Sequence, residues 1–296
     1  MPQTLTKQDF AKAARAGKTI WVAGCHDALS AKLAEEAGFP AVMTSGFGVS
    51  ASYLGMPDVE LYTMSENLSV IRNVANAINV PLIADGDTGY GNAINVMRTV
   101  REFENAGAAA IIFEDQEAPK RCPAVATRID ILPMEENAGK IAAAVEARKD
   151  PDTLIVARTD ALDVEEAITR ARAYVAAGAD LIQPISKCFK NIGELRQLRE
   201  ACEKPLSLQI LGWLETDLDK TDIESVAGLA VYPLVSLMSA TEAMRQNFAR
   251  LVEDKSTKNL PQPVTSMADF KAFIGFADIE ELQNKHLLQR VESPYN

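Results

Sequence analysis

Asp85 and Asp87 stand one residue apart where an apolar run ends, in "PLIADGDTGYGN" (81–92). Carboxylates at that spacing can hold a cation, share a proton or simply cap a turn. More acids occupy similar places. Asp58 closes "GMPD", Glu114 and Asp115 end "AAIIFED", and Asp160 follows Arg158 in "ARTDA". The chain has only 2 histidines, and its 4 cysteines (Cys25, Cys122, Cys188, Cys202) form no CxxC. Hard oxygen ligands without a His or thiolate cluster favour Mg²⁺, with Mn²⁺ as substitute, over zinc. The glycines do not make a nucleotide loop. "GDTGYG" is neither GxGxxG nor a Gly-Lys-Ser/Thr loop, and it lacks the acid spacing and terminal glutamate of an EF-hand.

Taken singly, each residue has a plainer reading. Asp85 and Asp87 could be turn residues, Glu114 and Asp115 a solvent-facing pair, Arg158 a structural ion-pair partner and Cys122 an inert thiol. Their co-location is what matters, and that depends on the elements carrying them. Eight short apolar runs recur at 19–24, 41–45, 80–85, 109–115, 153–159, 180–185, 205–211 and 228–234. Segments with helical apolar spacing separate them, such as 28–38, 92–107 and 164–178, and these end in "EEAGF", "ENAGA" and "AAGAD". A glycine in that position supplies a left-handed helix stop. Continuous apolar strands alternating with amphipathic helices predict an α/β fold with a parallel sheet under helices. Eight units predict a (β/α)₈ TIM barrel spanning 1–255, with a doubly wound sheet as the alternative. In a barrel the acids above, with Ser45 and Gly46, gather at the C-terminal rim, where mutual repulsion demands a cation or shared protons. Asp85 and Asp87 are expected to point the same way by strand alternation, with Asn92 capping the next helix. Residues 116–134 form a long polar insert, and 256–296 read as a linker and helices that pack on the barrel or on a neighbouring subunit.

With 296 residues, 47% of them hydrophobic, the chain can bury a large core. Its net charge of −11 argues against nucleic acid or anionic membrane as the partner. No run approaches 18 apolar residues, the N-terminus lacks a signal-peptide pattern, and free thiols fit a reduced compartment, so a cytoplasmic protein is expected.

"DGDTGYGNAINVMRTVREFENAGAAAIIFEDQEAPKRC", together with "HDALSAKLAEEAGFPAVMTSGFGVSASYLGMPD", "ARTDA", "ARAYVAAGAD" and "VYPL", resembles the isocitrate lyase/phosphoenolpyruvate mutase superfamily over nearly the whole chain. The resemblance implies a barrel, a homotetramer with a C-terminal helix swapped between subunits, and a Mg²⁺ site. Asp85 matches the direct metal ligand. Asp58, Asp87 and Glu114 match carboxylates that hold the metal's waters. Ser45, Gly46 and Phe47 match the grip on the substrate's α-oxycarboxylate, which Arg158 also binds. Cys122 in "PKRC" matches the catalytic cysteine on a gating loop of the lyase branch. Three stretches depart from that branch: Pro123 and Ala124 replace Gly-His, Ile185 replaces a glutamate, and "QILGWLETD" places Gln209 and Gly212 in polar positions. With Trp213, these imply a substrate whose second half is smaller or more apolar than a tricarboxylate's, with Gln209 in contact with it.

The leading expectation is a Mg²⁺-dependent carbon–carbon lyase for a substituted malate-like 2-hydroxy acid, of the 2-methylisocitrate or dimethylmalate type. It would release a 2-oxo acid such as pyruvate, with Cys122 and Arg158 as catalytic residues. The alternatives are an oxaloacetate decarboxylase or hydrolase, a phosphonopyruvate-type P–C mutase or hydrolase, and a non-catalytic barrel that binds a dicarboxylate.

Overall fold

The computed structural model describes residues 4–123 and 125–287. Eight parallel strands close a barrel in sequence order: β1 Ile20–Cys25, β2 Val42–Thr44, β3 Leu82–Asp85, β4 Ala108–Glu114, β5 Leu154–Thr159, β6 Leu181–Pro184, β7 Leu206–Gln209 and β8 Ala227–Tyr232. β8 pairs back onto β1 through Val22 and Val231, which excludes the doubly wound alternative. All eight apolar runs became strands, each within a few residues of the sequence reading. The helices Ala28–Glu36, Ala93–Asn105 and Val164–Ala176 end at Gly38, Gly107 and Gly178, all with positive φ. Asn92 does cap its helix, accepting from the Ile94 amide.

The hydrophobic core has two parts. Inside the barrel, Met43, Ile83, Ile112, Val156, Leu181 and Val231 interdigitate, and Phe10 and Ala14 of the first helix join them. The larger part lies between sheet and helices and includes Ile71, Phe103, Ile111, Ile141, Ile155 and Tyr174. Tyr174 and Phe103 are fully buried. Burying an aromatic or branched side chain contributes roughly 1.5–3 kcal/mol each, so these layers hold the strand ends firmly.

Asp180 ties the opposite, N-terminal edge of the strands. Its Oδ1 accepts from Arg15 Nε at 2.9 Å, and its Oδ2 accepts from Arg148 Nη1 at 2.6 Å and from the Ile155 amide at 2.8 Å. These bonds link the first helix, the helix Met134–Ala147, β5 and β6 through one carboxylate.

The chain divides into two compact units, Met1–Ser239 and Ala240–Asn296. The long helix Val235–Asp254 contains that boundary, and the second unit continues with helices Met267–Ile274 and Phe276–His286. None of these three helices has a buried residue. The helical tail expected up to 296 runs past the last described residue, and Ala124 also lies outside the described residues. No helix among the described residues is long and apolar enough to cross a membrane.

Replacing Asp180 by Ala takes one acceptor from each of two half-buried guanidinium groups and from the buried Ile155 amide. We expect a loss of about 2–4 kcal/mol in unfolding free energy by denaturant titration. Ligand binding at the far end should be unchanged where the protein stays folded.

Candidate active site

At the C-terminal rim the acids do converge, and an ammonium group sits among them. Lys120 Nζ lies 2.6 Å from Asp87 Oδ1, 3.0 Å from Asp58 Oδ1 and 3.9 Å from Glu114 Oε1. All four side chains are buried. Arg158 Nη1 takes the other Glu114 oxygen at 2.8 Å, and Nη2 takes Asp160 Oδ1 at 2.8 Å. The alternating register Glu114↔Arg158 on β4 and β5 puts these two side chains side by side on the inner face.

Asp85 ends β3, and its carboxylate is held by main chain: the Gly46 amide donates to Oδ2 at 2.9 Å and the Asp87 amide to Oδ1 at 3.1 Å. A Cβ on Gly46 would lie 2.8 Å from Tyr62 Oη and 2.9 Å from Asp85 Oδ2, so only glycine permits this approach. Asp87 reaches the site differently from the expectation. It lies beyond β3 with φ of +48°, in the left-handed region, so strand alternation does not orient it. The turn around Gly86 does. Gly86 donates to Ile112 O, Asp87 O accepts from the Glu114 amide, and a Cβ on Gly86 would meet the Phe113 ring at 2.7 Å. Asp87 Oδ2 then accepts from Tyr62 Oη at 2.5 Å and Tyr90 Oη at 3.0 Å, while Asn67 Nδ2 bridges Tyr90 Oη and Asp85 O.

Asp115 points away from this ring into a separate buried network. It accepts from Thr159 Oγ1, the Asp160 amide, Tyr174 Oη and Arg170 Nη1. The Asp160 carboxylate, buttressed in this way, orients Arg158. Glu114 and Asp115, 1% and 0% exposed, are therefore not a solvent-facing pair.

Electrostatics follow from this burial. Desolvation, reinforced by Asp87, pushes Asp85 up to about 6. Burial likewise raises Glu114 and Asp58, against the pull of Arg158 and Lys120 respectively. Burial works against the Lys120 charge, but Asp87, Glu114 and Asp58 override it and hold the ammonium well above its usual range. Four carboxylates thus face two cations.

Among the described residues no three side chains converge as direct ligands of one ion. The donor set still fits a hard cation that keeps its waters. Asp58 Oδ1, Asp87 Oδ1 and both Glu114 oxygens are buried and accept no aligned hydrogen bond, so only charge contacts satisfy them. Oxygen ligands bridged by water are what Mg²⁺ prefers.

The other residues expected at the site are placed as follows. Ser45 is buried beside Gly46, and Phe47 is half-buried. Cys122 is buried, two residues beyond Lys120, on a segment tied down by Arg121 N donating to Gln116 Oε1 at 2.9 Å. Gln209 Nε2 donates to Gln183 Oε1 at 3.1 Å. Ile185 is buried in the larger apolar cluster, and Trp213 Nε1 donates to Ser186 O. Sequence reasoning passed over Lys120, Tyr62, Tyr90, Asn67 and Gln183. Lys120 left a signal, a lysine inside the polar insert of a chain rich in unpaired acids. The two tyrosines and Asn67 left none, because their partners come from turns that sequence spacing does not reveal.

Comparison with known proteins agrees with this geometry. A family profile described as phosphoenolpyruvate phosphomutase matches residues 10–253. The chain is 38% identical to 2,3-dimethylmalate lyase of Eubacterium barkeri over 92% of this chain and 95% of that one. It is 35% identical to phosphonopyruvate hydrolase of Variovorax sp. over 98% and 99%. A crystal structure of phosphonopyruvate hydrolase in complex with oxalate and Mg²⁺ superposes with a TM-score of 0.85 at 34% identity, covering 96% of this chain and 100% of that one. The chain belongs to the phosphoenolpyruvate mutase/isocitrate lyase superfamily. Relatives at this level of identity include both lyases and hydrolases.

Two outcomes follow for the carboxylate ring. Because folding raises Asp85 from 3.8 to about 6, the proton favours the folded state. Its contribution to metal-free stability is therefore full below about pH 4 and is lost as pH rises through about 6. A Mg²⁺ ion bound at Asp85 would compete with that proton. The Mg²⁺-induced rise in Tm should therefore grow between pH 5 and pH 7.5, and thermal scans with and without Mg²⁺ check it. Lys120→Met leaves the ring short of a cation. The metal-free protein should lose about 3–5 kcal/mol, the usual cost of breaking a buried pair, and Mg²⁺ should raise its Tm more than it raises that of the wild type.

Proposed function

We propose that this chain is a Mg²⁺-dependent carbon–carbon lyase that cleaves a substituted malate-like 2-hydroxy acid to a 2-oxo acid and a carboxylate. The observation that carries this reading is one segment that bears both Lys120, seated in the carboxylate ring, and the buried thiol of Cys122. The 38% identity with a dimethylmalate lyase supports it.

In this reading Asp85 is the direct ligand of the ion, and Asp58, Asp87 and Glu114 hold its waters. The ion would supply positive charge next to the substrate's α-oxygen. Arg158, fixed by Asp160 and Glu114, binds the α-carboxylate, with the Gly46 and Phe47 amides and Ser45 around the same group. The hydroxyl proton passes to a carboxylate of the ring, which returns it by way of water to the Cys122 thiolate after turnover, while the C2–C3 bond breaks and its electron pair passes to C3 and the adjoining carboxylate. Cys122 Sγ–H supplies the proton to C3, and the covering segment keeps water away from the enolate.

The same reading makes the protein a helix-swapped tetramer. Phe248, Phe270, Phe276, Ile279 and Leu282 in the second unit are exposed large apolar residues, a surface that a neighbouring subunit would cover.

Cys122→Ser should lower kcat about 10²–10⁴-fold, the range for a lost general acid, while Mg²⁺ affinity by calorimetry stays within about twofold. The substrate panel couples 2-oxo acid release to a dehydrogenase and includes dimethylmalate, methylisocitrate, oxaloacetate and phosphonopyruvate. Turnover confined to oxaloacetate or phosphonopyruvate would replace the lyase by a hydrolase or mutase. Full turnover of a hydroxy acid by Cys122→Ser would remove the thiol from the mechanism.

A further inference from the structure

The segment 117–122 carries Lys120 into the carboxylate ring and Cys122 two residues further on. Its base is fixed where Gln116 pairs antiparallel with Ile131 and the Glu117 amide donates to Asp130 O at 2.9 Å. Beyond that base, two side chains capture consecutive peptide groups. The Lys120 amide donates to Glu60 Oε2 at 3.3 Å, and the Arg121 amide donates to Gln116 Oε1 at 2.9 Å.

The two acceptors differ in what stands behind them. Behind Glu60 is Thr88, whose hydroxyl donates to Oε1 at 2.5 Å. Behind Gln116 is the arginine of the site. Gln116 Nε2 donates to Asp160 Oδ2 at 3.3 Å, and Asp160 Oδ1 accepts from Arg158 Nη2 at 2.8 Å and Nε at 3.3 Å. Gln116 and Asp160 are each 1% exposed. Their partners fix which way the Gln116 amide faces. A peptide N–H can only donate and an ionised carboxylate can only accept, so the oxygen must meet Arg121 and the NH₂ must meet Asp160. One buried amide thus joins the guanidinium that reaches Glu114 to the peptide group next to Lys120.

We propose that Gln116 is a positioning residue that couples carboxylate binding at Arg158 to the seating of segment 117–122 over the ring. With the segment seated, Gln116 is held at both ends and steadies Asp160, which steadies Arg158. With the segment away, the amide loses its Arg121 donor and can turn, Asp160 loses a donor, and the guanidinium is held less closely. A ligand that favours the steadied guanidinium therefore favours the seated segment, and the coupling acts equally in both directions. Glu60 clasps the neighbouring peptide, but its other bond goes to Thr88, so it seats the segment without this coupling. The proposal rests on the reading above only for the carboxylate at Arg158 and is indifferent to which substrate bond breaks.

The test is the rate at which N-ethylmaleimide alkylates Cys122, 7% exposed in the seated segment, followed by mass spectrometry. The probe ligand is oxalate, a small dianion that can meet Mg²⁺ and a guanidinium together. Oxalate with Mg²⁺ should slow alkylation of the wild type at least about 10-fold relative to Mg²⁺ alone. Gln116→Met should speed alkylation in Mg²⁺ alone about 5–10-fold, as expected for lost buried hydrogen bonds, and cut the oxalate protection to about 3-fold or less. Glu60→Met should speed alkylation to a similar extent but keep the full protection. Gln116→Asn, too short to span both partners, should match Gln116→Met and replaces it where that variant does not fold. Cys25 and Cys202, buried elsewhere, should react at wild-type rates in all variants. Faster alkylation there assigns the effect to a loosened barrel and counts against the coupling. Full oxalate protection in the Gln116 variants would overturn the proposal, as would equal loss of protection in Glu60→Met. Calorimetry on the same samples separates the two readings. Mg²⁺-dependent oxalate binding that leaves wild-type alkylation unchanged sinks the coupling alone. Absence of such binding removes the carboxylate site at Arg158 and the coupling with it.

Discussion

Four buried carboxylates share one barrel mouth, and the rest of the rim is organised by the need to compensate them. Asp58, Asp85, Asp87 and Glu114 come from three βα loops and strand ends, so the closed sheet concentrates charge that no local sequence could hold together. Lys120 and Arg158 answer part of it, the tyrosines on Asp87 another part, and main-chain amides on Asp85 a third. Desolvation still wins at Asp85 and Glu114, whose protons are held more tightly than in water. A surplus of buried negative charge around one lysine and one arginine calls for further positive charge at this rim.

That constraint also explains the asymmetry of the mouth. The ring's charge comes from β3–β5 and the segments after β2, β3 and β4, while β6–β8 contribute amides, a serine and apolar groups. At the other end of the strands, Asp180 with Arg15 and Arg148 makes a second ionic knot with no access to the mouth. Chemistry and anchoring are thus placed at opposite ends of the same strands, as barrels generally arrange them.

Much of the fold was legible because strand runs and helix stops are local signals. The eight apolar runs, the glycines at 38, 107 and 178 and the Asn92 cap were all readable from short windows. The acids of the site were readable too, since each sits at a strand end or in the loop just after one. What remained hidden depended on turns and distant partners. Strand alternation gave the right destination for Asp87 by the wrong route, because the chain leaves β3 at Asp85 and turns through Gly86. Lys120 left only a compositional signal, a lysine in a polar insert, because the insert had no periodicity to give it a direction. Gln183 hid inside an apolar run, where a single amide looks like an ordinary strand residue until its partner on the next strand is known.

The left-handed backbone at Asp87 carries a consequence for how this rim can diversify. With φ at +48°, the position admits glycine, asparagine and aspartate at little cost and penalises β-branched side chains. Evolution can therefore erase the charge there in a single step to asparagine without moving the chain. A glutamate there would have to displace Tyr62, Tyr90 or Lys120, which crowd the Asp87 carboxylate. Packing thus fixes the length of the side chain at this place while the backbone leaves its charge free to change, so a relative can lose one of the buried charges here and keep the turn.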